Sequence, residues 1–205
     1  MRFLGGFYVF PGGSVHIEDS SPRILQRCRG LVPSEAQKIL GGVYDPELSL
    51  SHWIAVIREL FEEVGILLCV TDSGAEVDFR DNATRSRLEQ KRRSLVEHNL
   101  DFAAVLESEG LFCDLCRPVY FYHRVTPEIY PIRFDTRFYL ASLPAHQNPL
   151  PRSEEVTDTT WIKPEQALKR AYRRDFPLLP PTTTVLEDLA QIASWDKLQT
   201  LYRLR

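Results

Sequence analysis

The sequence has no run approaching the roughly 20 apolar residues that a membrane helix needs, so no spanning segment is expected. Its first thirteen residues hold four glycines and a proline, without the apolar stretch of a secretory leader. The closing Arg203-Leu204-Arg205 is not a Ser-Lys-Leu type peroxisomal address, and the cytoplasm is the expected compartment. Cysteine is sparse, four in 205 residues, too few for a disulfide framework and in keeping with a reducing compartment. Net charge is also small, at -3, which argues against a nucleic-acid partner. A small anionic substrate stays compatible with it, provided a metal neutralises the phosphates locally. No internal repeat or low-complexity tract breaks the chain.

What is present is ordinary for a globular protein: 43% hydrophobic and 26% charged residues. The length suits one domain with insertions, here at about 20–50 and 72–110. Gly6–Phe10 reads as a strand, aromatic and β-branched, stopped by Pro11-Gly12-Gly13. Short helical patterns follow around Arg23–Cys28 and Ser34–Leu40. The best-defined element is a helix of about Ser51–Val64, with Pro46, Ser49 and Ser51 as candidate start signals. In it, Trp53, Ile54, Ile57, Leu60, Phe61 and Val64 recur at three- and four-residue spacing as an apolar stripe. Gly65 stands where a helix stops, and Ile66–Val70 reads as a buried strand.

Residues 72–100 read as a charged helical insertion, with the stretch 80–93 on a solvated surface. A second short helix is expected over Asp101–Glu109, then strands over Val119–Val125 and Phe134–Leu143. After a turn through Pro144–Pro151, a strand is expected over Val156–Ile162. Pro164–Arg173 reads as a helix opened by proline, and Thr184–Tyr202 as a last helical stretch. Strands mixed with helices argue an α/β or α+β domain.

The chemistry concentrates in Arg58-Glu59-Leu60-Phe61-Glu62-Glu63-Val64-Gly65-Ile66. On a helix, Glu59, Glu62 and Glu63 share one face, because residues three and four apart are neighbours. Like charges so placed repel by a few tenths of a kcal/mol per pair, and a cation between them reverses the sign. Hard oxygen donors suit Mg²⁺ or Mn²⁺, which keep coordination positions for substrate phosphates. Taken alone, the cluster reads more readily as a solvated acidic face. Its context, an arginine before, a glycine after and Phe10-Pro11-Gly12-Gly13 upstream, favours the metal.

Arg58 to Ile66 resembles the second half of the Nudix box, and Phe10–Gly13 resembles the strand and turn that open it. The glutamate of the first half falls on Asp19, a shorter acid. Thirty-eight residues then separate Asp19 from Arg58, 31 more than the usual seven. A box split in this way is similar to the peroxisomal coenzyme A diphosphatase branch of Nudix hydrolases and its bacterial relatives. Arg133–Phe138, Glu155 with Trp161, Pro164–Leu168 and Leu179–Thr182 resemble the same branch, and Arg2 and Gly6 match the tail of a coenzyme A signature.

The resemblance implies the Nudix fold, a mixed sheet between helices; the further strand that normally comes before the one ending in Phe-Pro-Gly-Gly is expected to be missing. It implies a pyrophosphohydrolase that cuts coenzyme A or acyl-coenzyme A into 3′,5′-ADP and 4′-phosphopantetheine. It also implies Glu59, Glu62 and Glu63 as ligands of Mg²⁺ or Mn²⁺, with Arg58 orienting the carboxylates. Glu59, Glu62 and Glu155 would be the catalytic acids, and Gly12 and Gly13 would let the loop approach closely. Arg133 and Arg137 read evenly as phosphate contacts or as partners of Asp135. The runner-up substrates are ADP-ribose and NADH, and an inactive binding module of the same fold is the other class. Retention of all three helix glutamates with their arginine favours the enzyme.

Three further features have plainer readings. Cys113 and Cys116 form a CxxC that reads as plain thiols ahead of zinc. His123 reads as structural, and Tyr120, Phe121 and Tyr122 as core rather than as a base-stacking surface.

Overall fold

The computed structural model describes residues 6–129, 131–150, 159–192 and 194–204. The chain divides into two compact units. Helices and small sheets make up both, the α+β class expected.

The first unit, Pro11–Pro118 with Ala141–Asp158, carries helices α1 (Pro22–Leu25), α2 (Pro33–Ile39), α3 (Pro46–Val64), α4 (Asn82–Val96) and α5 (Phe102–Glu109). Its strands are β1 (Cys28–Arg29), β2 (Cys69–Val70) and β3 (Phe112–Asp114). They form a three-stranded sheet in the order β1-β3-β2, parallel between β1 and β3 and antiparallel between β2 and β3. Cys28 and Cys69 both lie opposite Cys113, and all four cysteines are free thiols. Strands β1 and β3 escape sequence reading because two or three residues are too few to show alternation. Cys28, expected on a helix, is in β1.

Helix α3 is longer than its apolar stripe suggests. Asp45 accepts from the Leu48 amide at 2.8 Å and Pro46 fills the first helical position, so the start lies at Pro46 rather than Ser51. Ser49 and Ser51 instead sit inside the helix, their hydroxyls donating to the Asp45 and Leu48 carbonyls. Gly65 ends the helix in the left-handed conformation, φ 72°, which a residue with a Cβ adopts at a cost. Trp53, Ile54, Ile57, Phe61 and Val64 are all buried on the core face. They pack in a core that also holds Leu67, Leu68, Leu88, Val105, Leu106 and Cys113, each at most 1% exposed. Every such aliphatic side chain removed from water contributes about 1.5–3 kcal/mol.

Two expectations fail here for definable reasons. Ile66–Val70 is buried throughout, yet only Cys69 and Val70 pair as a strand. The Leu67 amide donates to Gln147 Oε1 at 2.8 Å, and Gln147 Nε2 donates to the Leu67 carbonyl at 3.1 Å. A side-chain amide thus substitutes for a strand partner. The stretch 80–93 is not uniformly solvated: Leu88 and Arg92 are buried, and α4 lies against α3 and α5.

The second unit, Met1–Phe10 with Val119–Leu140 and Thr159–Arg205, holds the antiparallel pair β4 (Val119–Val125) and β5 (Asp135–Leu140) with a register shift between Tyr120 and Tyr122. Its helices are α6 (Pro164–Tyr172), α7 (Pro180–Ala190) and α8 (Trp195–Tyr202). Ala167, Phe176 and Leu186 form its core, joined by Tyr8, Ile162, Leu168 and Leu178. Gly6–Phe10 is not a strand. Tyr8 alone makes a bridge, to Leu178, and stacks on Phe176 at 3.7 Å, while Phe7, Val9 and Phe10 are exposed. The last helical stretch is two helices, because Ser194 accepts from the Lys197 amide and starts α8 anew. Residues 159–162 are not a strand, and Val156 to Asp158 lie outside the described residues, as do Arg2 and Glu155. Among the described residues, no helix is long and apolar enough to cross a membrane.

Gln147→Leu should lower the unfolding free energy by about 2 kcal/mol, the cost of leaving buried backbone groups of Leu67 unpaired. Urea denaturation checks it, and an unchanged midpoint would mean that this clamp carries no net stability.

Candidate functional site

The site is built where the loop Pro11–Ser14 and the turn Ile17–Ser20 meet the C-terminal half of α3. Arg58 is its centre, with only 5% of its side chain exposed. Its Nε donates to Asp19 Oδ1 and its Nη2 to Asp19 Oδ2, both at 2.9 Å. This planar fork is the strongest geometry available to an arginine and a carboxylate. The Asp19 side chain is equally hidden, 3% exposed. Nη1 donates to Glu59 Oε1 at 2.8 Å and lies 3.3 and 3.4 Å from the two Glu62 oxygens. Nη2 also donates to the Ser14 carbonyl at 2.7 Å. The bidentate partner of Arg58 is therefore Asp19, while the two helix glutamates share one of its nitrogens.

The loop follows the helix residue by residue. The Gly12 amide donates to Glu63 Oε2 at 2.9 Å. A Cβ on Gly13 would lie 2.6 Å from Glu59 Oε2 and nearer still to the other carboxylate atoms, so only glycine lets the backbone come this close. Ser14 offers its carbonyl to Arg58. The His16 amide donates to Asp19 Oδ2 at 2.8 Å, which locks the acid from the loop side. Asp19 is legible in sequence as the acid at the sixth position after Gly13. No sequence signal marks Ser14 or His16, whose parts here are played by backbone atoms.

The electrostatics are lopsided. Burial works against the charge of Arg58, but Asp19, Glu59 and Glu62 outweigh it and raise its pKa. The Glu62 pKa is also raised: burial is the main cause and the Glu59 charge adds to it, despite the opposing pull of Arg58. Asp19, Glu59 and Glu62 thus surround a single guanidinium, with Glu63 one residue further on. Among the described residues, no three His, Cys, Asp or Glu side chains converge as metal ligands would. Glu59 and Glu62 are turned to Arg58, and Glu63 to the Gly12 amide. The donor chemistry nonetheless fits a hard divalent cation, being all carboxylate oxygen with more negative charge than Arg58 balances.

Arg133 and Arg137 belong to the second unit. Arg137 donates from Nη1 to Asp135 Oδ1 at 3.0 Å, and His123 Nε2 lies 2.5 Å from the same oxygen. Arg133 Nε donates to the Thr126 carbonyl at 3.0 Å. Tyr120 and Phe121 meet Tyr139 and Tyr202 edge-on, and Tyr122 packs at a tilt against Phe138.

The chain matches a family model described as the NUDT19 Nudix domain over residues 46–189. It belongs to the Nudix family. A Caenorhabditis elegans protein named "Putative nudix hydrolase 7" is 30% identical over 161 residues, covering 76% of this chain and 50% of that protein. The acyl-coenzyme A diphosphatase NUDT19 of Gallus gallus is 24% identical over 237 residues, covering 98% of this chain and 60% of that protein. The chain thus spans half to three fifths of the length of these relatives. The crystal structure of a Nudix hydrolase from Alicyclobacillus acidocaldarius superposes with a TM-score of 0.73 at 26% identity, over 98% of this chain and 83% of that one. In this Nudix chain the helix glutamates and their arginine are held under the glycine loop even though the box is split by the insertion.

Asp19→Ala should cost about 3–5 kcal/mol of stability, since it leaves the Arg58 guanidinium buried without its fork partner. Chemical denaturation measures this. A loss under about 1 kcal/mol would mean that the pair behaves as a solvated surface ion pair.

Proposed function

We propose that this chain is a metal-dependent pyrophosphohydrolase acting on coenzyme A or acyl-coenzyme A, releasing 3′,5′-ADP and free or acylated 4′-phosphopantetheine. The observation that carries the reaction class is the set of glutamates gathered around Arg58 beneath the Gly12-Gly13 loop. Support for the coenzyme A substrate comes from the Gallus gallus relative's name and from the split form of the box.

In this reading Glu59, Glu62 and Glu63 would hold Mg²⁺ or Mn²⁺. When bound, the ion would offset charge on the diphosphate oxygens and make a water more acidic. The chain's own groups do the rest. Arg58 fixes the positions of Glu59 and Glu62, and Asp19 fixes Arg58 in turn. Glu62, or Glu155 of the chain outside the described residues, takes the proton from the attacking water. In this reading the backbone at Gly12 and Gly13, rather than side chains, would lie beside the acids and the bound diphosphate. Of the two readings of Arg133 and Arg137, pairing with Asp135 is the one Arg137 adopts, and a role as phosphate contacts is carried by guanidinium chemistry alone. The partner is a small nucleotide, with no nucleic acid or membrane involved, and the proposed compartment is the cytoplasm.

The test compares cleavage of coenzyme A, an acyl-coenzyme A, NADH and ADP-ribose with Mg²⁺ or Mn²⁺. Coenzyme A or its acyl form should be cleaved fastest, with activity abolished by chelation. In Glu62→Gln, kcat should fall at least about a hundredfold, as loss of a principal charge-stabilising group does. Faster turnover of ADP-ribose or NADH would overturn the substrate while leaving the reaction class standing.

A further inference from the structure

Arg92 is 6% exposed, although it lies in the most highly charged stretch of the chain and arginine is almost never buried without a reason. Its guanidinium reaches three backbone carbonyls. Nε donates to Glu62 O at 3.0 Å, Nη2 to Glu63 O at 2.7 Å and Nη1 to Leu150 O at 2.7 Å. The last four carbonyls of an α-helix lack partners within the helix. For α3 their partners can be followed one by one. The Phe61 carbonyl accepts from the Gly65 amide at 3.0 Å and the Val64 carbonyl from the Leu150 amide at 2.8 Å. The two between them, on Glu62 and Glu63, accept from Arg92. A Cβ on Gly65 would come within 3.1 Å of the Arg92 Nη1, a tight contact, so the αL glycine and the arginine fit together.

We infer that Arg92 is a positioning residue for the hydrolytic site, an inference that rests on the proposed function. A single rigid guanidinium on α4 sets the pitch of the one helical turn that carries Glu62 and Glu63. It ties the same turn to the chain at Leu150. A cation at a helix C-terminus is also favourable to the helix dipole. The carboxylates of Glu62 and Glu63 face Arg58 and the glycine loop while their own carbonyls are held by Arg92, so each residue is fixed at both ends. The charged insertion thereby serves the site, because α4 brings in the arginine that finishes the box helix. Lysine cannot replace it, because one ammonium lacks the planar fork that spans three carbonyls.

The test uses Arg92→Lys and Arg92→Ala of the full chain, with three readouts. In a chain that turns over, kcat should fall by about tenfold or more in both variants, as small misplacement of catalytic groups does, with KM changed by less than about threefold. Millimolar guanidinium should restore part of the rate in Arg92→Ala and none in Arg92→Lys. By hydrogen exchange, the Leu150 amide should lose protection by about tenfold while Ile54, inside α3, keeps its own, which marks a local change rather than global unfolding. Equal loss at Leu150 and Ile54, or unchanged kcat, would overturn the inference. If the wild type cleaves none of the four substrates, the functional reading fails on that result alone. Mn²⁺ affinity and Leu150 exchange then decide Arg92: weaker binding together with local exchange supports it, and unchanged Mn²⁺ affinity overturns it.

Discussion

A guanidinium taken out of water costs several kcal/mol unless acids and carbonyls replace the hydration it loses. Arg58 meets that condition with Asp19 on its fork, Glu59 and Glu62 on Nη1 and the Ser14 carbonyl on Nη2. The rest of the site depends on this arrangement. Because Asp19 is in the turn that follows the glycine loop, the ion pair closes the loop over α3. The closure in turn places Gly12 on Glu63 and Gly13 against Glu59. A buried pair of this kind is weak as a source of net stability but strict about geometry, and strict geometry is what the proposed hydrolysis would require.

Nearly forty residues stand between the two halves of the box, yet the halves meet. Helices α1 and α2 and strand β1 fill the gap: α1 sits beside the Ile17–Ser20 turn, β1 pairs with β3 and α2 packs on α3. The insertion is therefore folded onto the sheet and helix of its own unit, and Asp19 and Arg58 pair across 39 positions of sequence. The second insertion is used differently. Most of α4 is exposed charge, but Leu88, Arg92 and Leu95 turn inward, and one of them reaches the end of the box helix.

Much of this is legible in the residues themselves. The stripe from Trp53 to Val64, the stop at Gly65, the helix starts at Asp101 and Pro164 and the aromatic and β-branched runs of β4 and β5 are local signals, and local signals survive folding. The acids of α3 stand out because helical spacing alone puts Glu59, Glu62 and Glu63 on one face. Tertiary partners are not legible. Nothing in the pattern tells that Gln147 stands in for a strand beside Leu67, or that one arginine of a charged stretch is buried. Nor does it tell that Asp19, rather than a helix glutamate, takes the fork of Arg58. Gly6–Phe10 has the composition of a strand, but pairing needs a neighbour, and only Tyr8 finds one.

The central claim is that the carboxylates gathered around Arg58 hold a divalent ion under the glycine loop. Titrating Mn²⁺ into the chelator-treated protein and into Glu59→Gln, followed by electron paramagnetic resonance, tests it most directly. The account predicts a protein-bound ion in the wild type whose affinity falls by about tenfold or more in the variant, as loss of a direct ligand or its orienting partner does, with the fold unchanged by circular dichroism. Equal Mn²⁺ affinity in the two proteins would contradict it and leave the cluster as a structural ion-pair network.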